Sequence, residues 1–361
     1  MGLVKDQLWR LRYRAPFYLD FPSLMQLLKF KQLRDRYYRD LWQQAATNIN
    51  AHFQDWNFGY GRISRHGLTT VVKEGTVMLD DHLTLKIMGN KALVYALMVE
   101  KGYAVPDFRQ YSMVNFSEGE DFFLSQKKPV VVKPTSGTGG GRGVTTGITT
   151  LKVFRKASLL ASSFDTNLII EEQIEGQSYR LLYLDGKFID AVRRDPPIIK
   201  GDGRHTIRQL VAIENKKRLA GRPVVALSPL KIDKDCLNKL HDSGLKIDVR
   251  PDPERIIELK RAVNENCSQR NHRVSKEVHH QTIIDGAKLV ADLGVRFAGI
   301  DIICKDISQP LGHENGLISE INTTPGIHHH YLVSADCKQV PVAEHVLEYM
   351  FKSRQGVMKI N

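Results

Sequence analysis

A glycine-dense loop between two apolar segments constrains the fold of this chain more than any other feature. From Lys133 to Gly143, five of eleven residues are glycine. The short apolar runs at 130–133 and 143–148 are typical of strands, so the sequence predicts two strands that the loop joins as a hairpin. Glycine permits positive φ angles and lets backbone N–H groups approach an anion closely. The loop therefore indicates a phosphate-binding site, with a merely flexible surface loop as the alternative.

Two well-known phosphate motifs do not fit this loop. No Lys-Ser or Lys-Thr pair follows the glycines, and no G-x-G-x-x-G register is present. A strand rather than a helix is predicted next, which also argues against a Rossmann turn. Lys133 ends the strand directly before the loop, and Lys91 begins a helix predicted at 90–101, so both lysines are candidates for phosphate contact. Each lysine taken singly is more often a solvated surface residue.

Two apolar strands near the carboxyl end carry acidic side chains. Alternation along the predicted strand 316–322 puts Glu320 and Asn322 on one face. Asp301, on the predicted neighbouring strand 297–304, would add a third hard oxygen ligand. Mg²⁺ seldom uses an all-protein cage and completes its shell with waters and phosphates. We therefore expect Asp301, Glu320 and Asn322 to form a Mg²⁺ site, the alternative being acids that only face solvent.

The remaining pattern is α+β with mostly antiparallel strands. Residues 1–85 are predicted to form a helical, basic N-terminal module, with a helix beginning near residue 21 and a glycine-rich passage after it. Further strands are predicted at 168–171, 179–184 and 187–193, and further helices at 151–162, 206–218 and 279–292.

Composition narrows the class of protein without identifying a partner. The 361 residues are 42% hydrophobic and carry a formal net charge of +12. No apolar run approaches the roughly 20 residues that span a bilayer, and we expect a cytoplasmic protein. Basic residues alternate with aromatic residues in the first forty positions, a pattern that can bind nucleic acid. Amphipathic helices with solvated basic faces are the favoured interpretation. The four cysteines contain no C-x-x-C pair, which argues against a zinc site.

Several motifs together resemble the ATP-grasp superfamily, and most closely the ATP-grasp portion of cyanophycin synthetase and its relatives. They recur in family order from about Lys91 to Leu332. The segments are Val-Val-Lys-Pro at 131–134, Gly-Arg-Gly-Val at 141–144, Ile-Glu-Glu-Gln-Ile-Glu-Gly at 170–176, Tyr-Arg-Leu-Leu at 179–182, Ala-Val-Arg-Arg-Asp-Pro at 191–196, Gly-Asp-Gly-Arg-His-Thr-Ile at 201–207, Ala-Gly-Ile-Asp at 298–301, Glu-Ile-Asn at 320–322 and Pro-Gly-Ile at 325–327.

The resemblance implies an ATP-grasp fold in which two α+β subdomains clasp ATP. The ATP-grasp domain would span 86–350, with a lid subdomain at about 122–175 and a metal-binding C-terminal subdomain at about 180–350. Adenine would contact the segment from Glu171 to Ile174. The family usually places an acid at Ser178 to hold the ribose, so this chain departs there. The implied nucleotide-binding residues are Lys91, Lys133, Gly139, Gly140, Gly141, Arg142, Gly143, Glu171, Glu172, Ile174 and Ser178.

The resemblance also implies the chemistry. Asp301, Glu320 and Asn322 would bind Mg²⁺, with Mn²⁺ as an alternative ion, and Arg194 and Arg261 would be catalytic residues near the transferred phosphate. The family reaction makes an acyl phosphate from ATP and a carboxylate, and an amine then displaces phosphate to give an amide. The implied partners are a small-molecule carboxylate and an amine, such as an amino acid or short peptide. A homodimer remains open as an assembly.

The substrate region departs most from the family pattern. Asn266-Cys267-Ser268-Gln269 replaces the family's Ser-Thr-Gly-Gly, and three histidines follow Pro325-Gly326-Ile327, where a basic residue is usual. Candidate substrate contacts are therefore Asn264, Asn266, Ser268, His328 and His330. The histidines could instead have a structural role. An ATP-binding protein that has lost catalysis is the second hypothesis, and the complete metal set argues against it.

Overall fold

The computed structural model describes residues 21–137, 141–335 and 339–359. The helices are α1 (Phe21–Asn48), α2 (His82–Met88), α3 (Lys91–Glu100), α4 (Phe116–Ser125), α5 (Leu151–Ser162), α6 (Ile207–Ala220), α7 (Lys234–Asp242), α8 (His280–Asp292) and α9 (Val342–Ser353). The strands are β1 (His52–Asp55), β2 (Gly61–Arg65), β3 (Leu68–Val72), β4 (Phe108–Ser112), β5 (Val130–Pro134), β6 (Thr145–Ile148), β7 (Asn167–Glu172), β8 (Gln177–Leu184), β9 (Lys187–Arg194), β10 (Ile198–Lys200), β11 (Ile256–Glu258), β12 (Asn271–Arg273), β13 (Phe297–Cys304), β14 (Gly316–Asn322) and β15 (Met358–Lys359). The expected α+β class with antiparallel sheets is confirmed.

A five-stranded antiparallel sheet in the order β12-β9-β8-β13-β14 forms the centre of the molecule. Its strands β13 and β14 have the bounds that the sequence predicts. One face of the sheet packs against α3 and α8 around buried residues that include Tyr95, Leu289 and Ile300. The buried residues on this face therefore hold the sheet in a fixed position.

A second sheet, in the order β4-β7-β5-β6, carries the glycine-rich loop. Strands β5 and β6 pair in antiparallel fashion on either side of the loop, as the sequence predicts. Helices α4 and α5 cover this sheet around Phe154. The sheet begins at Phe108, earlier than the lid boundary expected near residue 122, because β4 pairs along the whole of β7. Sequence periodicity does not reveal that pairing.

A small inserted unit lies between the central strands. Strands β10 and β11 form a two-stranded sheet that packs against α6 and α7 around its own buried cluster. A capping box begins α6, in which the Thr206 side chain accepts from the Gln209 backbone while the Gln209 side chain accepts from the Thr206 backbone. The insert therefore has its own packing, and it places α7 beside the lid strand β6.

The N-terminal region combines the long helix α1 with a sheet in the order β1-β2-β3-β15. The expected helix is present, and three strands follow it between His52 and Val72. The sheet is completed by β15 from the opposite end of the chain. Two aromatic residues of α1, Phe30 and Tyr38, are 2% and 3% exposed, so they are not available to stack on bases. This favours the interpretation of α1 as an amphipathic helix.

One hydrophobic core joins the N-terminal region to the C-terminal part of the chain. Trp42 of α1 belongs to the same buried cluster as Phe297 of β13 and Leu347 of α9. Its indole Nε1 donates to the Glu74 carbonyl oxygen at 2.8 Å. Because both ends of the chain share this cluster, residues 1–85 are not packed as a separate unit over the part that is described.

Two expectations from the sequence, about membrane spans and about the cysteines, can be compared with the described residues. No helix among them has both the length and the apolar character needed to cross a bilayer. Cys236, Cys267 and Cys304 are free thiols. Cys337 and the basic residues before α1 lie outside the described residues.

We expect Trp42→Ala to lower the free energy of unfolding by about 3–5 kcal/mol, since Trp42 is 1% exposed and its removal leaves a cavity in the shared core. Trp56 is 50% exposed and provides a matched control. Trp56→Ala should change the unfolding free energy by less than about 0.5 kcal/mol. Urea unfolding monitored by circular dichroism measures both values, and equal effects of the two substitutions would contradict the shared core.

Candidate active site

Two carboxylates lie side by side on neighbouring strands of the central sheet. Asp301 of β13 and Glu320 of β14 are direct partners in the strand register, and Gly299 pairs with Asn322. A register shift follows, so that Ile302 pairs with Ile318 and Ser319 bulges between them. The bulge reverses the alternation of side chains. Ile318 is therefore buried at 6% exposure, while Glu320 and Asn322 stay on the polar face.

Asp301 is held by two arginines from neighbouring strands. Arg180 of β8 donates from Nε and Nη2 to the two carboxylate oxygens, both at 2.7 Å. Arg194 of β9 lies 3.1 Å from Oδ2 through Nη2, and Asn322 Nδ2 donates to the same oxygen at 3.3 Å. Burial alone would raise the pKa of Asp301, but Arg180 and Arg194 bring it below its ordinary value. The buried carboxylate therefore stays ionised.

Arg180 belongs to the site, although the sequence analysis did not select it as a site residue. It is the register partner of Asp301 across β8 and β13, yet the two residues are 121 positions apart. Arg194 was expected near the phosphate, and burial lowers its pKa to about 10, with Arg180 contributing to the shift. Arg194 also donates from Nη2 to Ser178 Oγ at 3.1 Å. The serine expected at the ribose thus contacts Arg194.

The two candidate lysines each pair with a carboxylate. Lys91, at the beginning of α3, lies 2.9 Å from Glu320 through Nζ. Lys133, at the end of β5, lies 2.7 Å from Glu171, and both of these side chains are 8% exposed. Tyr95 lies one turn after Lys91, and its hydroxyl is 3.4 Å from Lys133 Nζ and donates at 2.8 Å to the carbonyl oxygen of Ser319, the residue before Glu320. The lysines from helix and lid therefore reach the same region as the metal candidates.

The expected adenine segment is partly engaged in the lid sheet. The Glu171 carboxylate contacts Lys133, as described above, and its backbone pairs with Phe108 and Val131. The backbone amide of Glu172 donates to Asp107, and that of Gln173 donates to Pro129. Ile174 lies beyond this pairing and is half-buried. Of the expected adenine contacts, Ile174 is the one that follows the end of the strand.

The glycine-rich loop is fixed at both ends. Asp165 accepts from Thr135 Oγ1 at 2.7 Å and from the Ser136 amide at 2.9 Å. The Lys91 amide donates to the Thr135 carbonyl oxygen at 2.9 Å, which ties α3 to the loop. Gly143 has φ of +76°, and a Cβ added there would lie 2.8 Å from Phe164 and Pro134. Position 143 therefore requires glycine.

The rest of this loop is only partly described. Gly139 and Gly140 lie outside the described residues. Gly141 has φ of +72°, and Arg142 beside it is exposed. A Cβ added to Gly141 would lie 3.4 Å from Nδ2 of Asn264. The loop thus ends against the segment that was expected to contact substrate.

Arg261 lies on the lid side of the site rather than beside Asp301. Its Nη2 is 2.7 Å from the Asp242 carboxylate of α7. A Cβ added to Gly147 of β6 would lie 3.2 Å from the guanidinium carbon, so the glycine gives the arginine room against the lid strand. Of the two expected catalytic residues, Arg194 therefore lies beside Asp301 on the central sheet, whereas Arg261 packs against strand β6.

Two of the expected substrate residues, Asn266 and Ser268, make hydrogen bonds within the protein. The Asn266 side chain is 5% exposed and donates to Asn271 Oδ1 at 2.6 Å. The Ser268 amide donates to the Val225 carbonyl oxygen at 2.7 Å. These contacts stabilise the connection to β12. Asn264 remains the residue of this segment that contacts the lid loop.

The three histidines lie in a short 3₁₀ helix from Ile327 to His330. His328 Nδ1 is 2.8 Å from the Tyr38 hydroxyl, and His330 Nδ1 is 2.9 Å from Asp190. Burial, aided by nearby arginines, lowers the pKa of His328 and of His329 well below the ordinary value. Burial also lowers the pKa of His330, although Asp190 opposes this shift. Neutral, buried histidines indicate a structural role more than contact with a substrate carboxylate.

The donor set fits a divalent cation that also binds phosphate. No cluster of three or more His, Cys, Asp or Glu side chains suited to a metal occurs in the described ranges. Asp301, Glu320 and Asn322 supply two carboxylates and an amide, which suits Mg²⁺ because that ion takes its other ligands from water and phosphate. In the part of the chain that is described, Arg194 Nε is buried without a hydrogen-bond partner. A phosphate oxygen could accept a hydrogen bond from this Nε–H group.

Comparison with known proteins gives two kinds of relative. Cyanophycin synthetase of Crocosphaera subtropica is 31% identical over 227 residues, which are 62% of this chain and 26% of that protein. The glutathione biosynthesis bifunctional protein GshAB of Listeria innocua is 26% identical over 316 residues, which are 86% of this chain and 41% of that protein. The crystal structure of a bifunctional glutathione synthetase from Pasteurella multocida has a TM-score of 0.55 and 21% identity over 90% of this chain and 46% of that chain.

This chain has the ATP-grasp fold. The expected resemblance to cyanophycin synthetase is confirmed, and the likeness to the glutathione synthetase structure shows the shared fold. A comparison with protein-family models finds no match. The chain spans less than half the length of each of these relatives. In this fold, the glycine-rich loop lies on the sheet β4-β7-β5-β6 and the carboxylate pair lies on the central sheet.

We expect the stability of this ATP-grasp protein to fall as the pH is lowered from about 7.5 to about 5.5. The unfolded histidines bind protons below about pH 6.5, whereas His328 and His329 resist protonation in the folded state because they are buried. The unfolded state then holds more protons, so lowering the pH favours unfolding. His329→Phe should remove up to about 1.4 kcal/mol of this loss at one pH unit below the unfolded pKa.

Urea unfolding at the two pH values measures this effect. His345 of α9 is exposed and provides a matched control. His345→Phe should leave the pH dependence unchanged. The same pH dependence in His329→Phe and in the unsubstituted protein would show that His329 is not held neutral by burial.

Proposed function

We propose that this chain is an ATP-dependent carboxylate–amine ligase that uses Mg²⁺ and forms an amide or peptide bond through an acyl phosphate. One observation carries the proposal: lysines from α3 and from the lid, arginines from the central sheet, and the pair Asp301 and Glu320 converge on one region. Such an arrangement suits phosphoryl transfer, which depends on positioning and on neutralising charge. The relatives named above are ATP-dependent amide-bond ligases, which supports the coarser part of the proposal.

In the proposed reaction, each group has a distinct task. Lys91 and Lys133 would bind phosphate oxygens of ATP after exchanging their present carboxylate partners. Asp301, Glu320 and Asn322 would hold Mg²⁺, which when bound neutralises charge on the phosphates. Arg194 would orient the substrate carboxylate or the transferred phosphoryl group through its planar guanidinium. Arg180 keeps Asp301 ionised and fixes its orientation.

The proposed reaction has two chemical steps. A carboxylate oxygen of one substrate attacks the terminal phosphorus of ATP, and ADP leaves. The amine of the second substrate attacks the acyl carbon, loses a proton and displaces phosphate, which leaves an amide. Closure of the loop at 135–143 would exclude the water that hydrolyses an acyl phosphate. Arg261, held by Asp242 against Gly147, would then approach the reacting groups from the lid side.

The expected result of an ADP-release assay is Mg²⁺-dependent ADP formation that requires both a carboxylate and an amine. Pools of amino acids and dipeptides supply both classes, and mass spectrometry of the product identifies the pair that reacts. ATP binding without ADP release from every pool would instead support the hypothesis of an ATP-binding protein that has lost catalysis.

Glu320→Gln should lower the rate of ADP release by a factor of about 100 or more, because it removes a charge at the proposed metal site. The fold should remain intact, since the Glu320 side chain is partly exposed and contacts only Lys91 among the ion pairs described. Glu314→Gln is the control, as Glu314 is an exposed acid before the same strand. Retained turnover in Glu320→Gln would show that Glu320 does not hold the metal.

A further inference from the structure

A cavity of about 720 Å³ lies between the β2–β3 hairpin, the end of α9 and strand β15. Its volume falls in the range of roughly 300–1,000 Å³ that is usual for small-molecule sites. The first turn of α9 packs beside the histidine turn, where the Ala343 amide donates to the Tyr331 hydroxyl at 2.8 Å. Lys352, which lines the cavity, comes nine positions later, about 14 Å further along a helix. The cavity is therefore separate from the candidate active site.

The lining of this cavity concentrates positive charge. Its basic members come from the hairpin, the helix end and the strand, and one acid accompanies them; the six are Arg65, His66, Lys352, Arg354, Lys359 and Glu348. Histidine aside, the lining has four lysines and arginines and one carboxylate, whereas the whole chain has 52 and 40. The basic composition of the chain therefore does not account for the charge of the cavity.

Backbone geometry brings these three segments together. His66 and Gly67 have φ of +48° and +74°, which makes a tight turn between β2 and β3. Strand β15 pairs with β3 so that Lys359 lies opposite Leu68, the residue directly after the turn. Gly356 connects α9 to β15, and a Cβ there would collide with a backbone carbonyl oxygen. The walls of the cavity are therefore fixed by the fold.

Three of the cations lack an ion-pair partner. Arg65 Nη1 lies 3.0 Å from Glu348 Oε1, and Glu348 is the one acid of the lining. Lys352, Arg354 and Lys359 are exposed and form no ion pair with residues of the described ranges 21–137, 141–335 and 339–359. Their like charges repel one another, and an anion between them would relieve that repulsion. The cavity therefore favours an anionic ligand.

Each cation taken singly also has an ordinary explanation. Lys352 and Arg354, at the end of α9, suit the negative end of the helix dipole. Lys359, on an edge strand, opposes pairing with another chain. Arg65 of the hairpin serves neither purpose. These explanations concern separate elements and do not require them to meet, so the convergence of all four cations on one cavity is what indicates a ligand.

We propose that this cavity binds a small anion with two or more phosphate groups. Four lysines and arginines and one carboxylate leave a net charge of +3, which a single carboxylate would not balance. Neighbouring phosphates would instead meet cations from the hairpin, from α9 and from β15. Arginine forks bind phosphate oxygens in pairs, and lysine provides a compact charge. The inference does not depend on the proposed function, since no residue of the cavity takes part in that reaction.

Isothermal titration calorimetry with tripolyphosphate tests the site on the full chain, in buffer with EDTA so that no metal takes part. We expect binding that weakens at least about tenfold in the double variant Lys352→Gln/Arg354→Gln, since two charge-assisted contacts are lost. The matched control is Lys216→Gln/Lys217→Gln, which removes two exposed cations near the end of α6. Tripolyphosphate bound at the proposed ATP site is common to both double variants, so their difference reports on the cavity.

A single substitution on the third segment provides an independent check. Lys359→Gln should weaken tripolyphosphate binding at least about threefold, whereas Lys276→Gln, at an exposed position before α8, should leave it unchanged. Circular dichroism checks that each variant is folded. No binding of tripolyphosphate, or equal affinity in the two double variants, would overturn the proposal.

Further soluble ligands define the class of anion. Inorganic phosphate, with a single phosphate group, and citrate, a polycarboxylate, should each bind at least about tenfold more weakly than tripolyphosphate, because both carry less charge. Equal affinity for citrate would contradict the assignment to phosphate groups.

A free oligophosphate and a phosphorylated lipid head group share this chemistry, and sedimentation with vesicles distinguishes them. The vesicles contain phosphatidylcholine alone or phosphatidylcholine with phosphatidylinositol bisphosphate. Co-sedimentation with the second kind alone, lost in Lys352→Gln/Arg354→Gln, would identify the lipid head group as the ligand. No co-sedimentation, with tripolyphosphate binding retained, would identify a soluble oligophosphate. Absence of both kinds of binding would contradict the proposal.

Discussion

The buried carboxylate of Asp301 imposes the arrangement around it. A charge at 7% exposure is costly unless it is paired and hydrogen-bonded. Arg180 meets both of its oxygens and Arg194 adds a third contact, so three adjacent strands must be in a fixed register. A slip of one residue would turn one of these side chains to the opposite face. The register of the central sheet and the charge cluster therefore depend on each other.

The two candidate lysines near the glycine-rich loop are also paired with carboxylates. Lys91 meets Glu320 and Lys133 meets Glu171, so each cation proposed for phosphate binding already has a carboxylate partner. The Tyr95 hydroxyl contacts Lys133 and the carbonyl oxygen of Ser319, the residue before Glu320. In the proposed function, binding of ATP and Mg²⁺ would break these pairs. The phosphates would then pair with the lysines, and the metal would bind Glu320. The charge balance of the site would be kept while its partners change.

The N-terminal region belongs structurally to the active-site domain. Trp42 packs in one core with residues of β13 and α9, and Tyr38 reaches His328. Glu74 and Gly75 then lie against the segment after β14. This placement makes the region that the sequence marks as helical and basic a structural part of the same domain. It also gives the neutral histidines a structural task, because His328 and Tyr38 join the two regions.

The sequence by itself determined the elements that local patterns encode. Alternation and bounding glycines fixed β13, β14 and the hairpin around the glycine-rich loop, and residue chemistry selected Asp301, Glu320, Lys91 and Lys133. Only the tertiary structure decided the pairings: Arg180 with Asp301 across 121 positions, the bulge at Ser319, β4 in the lid sheet and the 3₁₀ turn of the histidines. The physical reason is that local periodicity reports which face a side chain occupies within its own strand, whereas strand register and buried charge pairs arise between segments far apart in the chain.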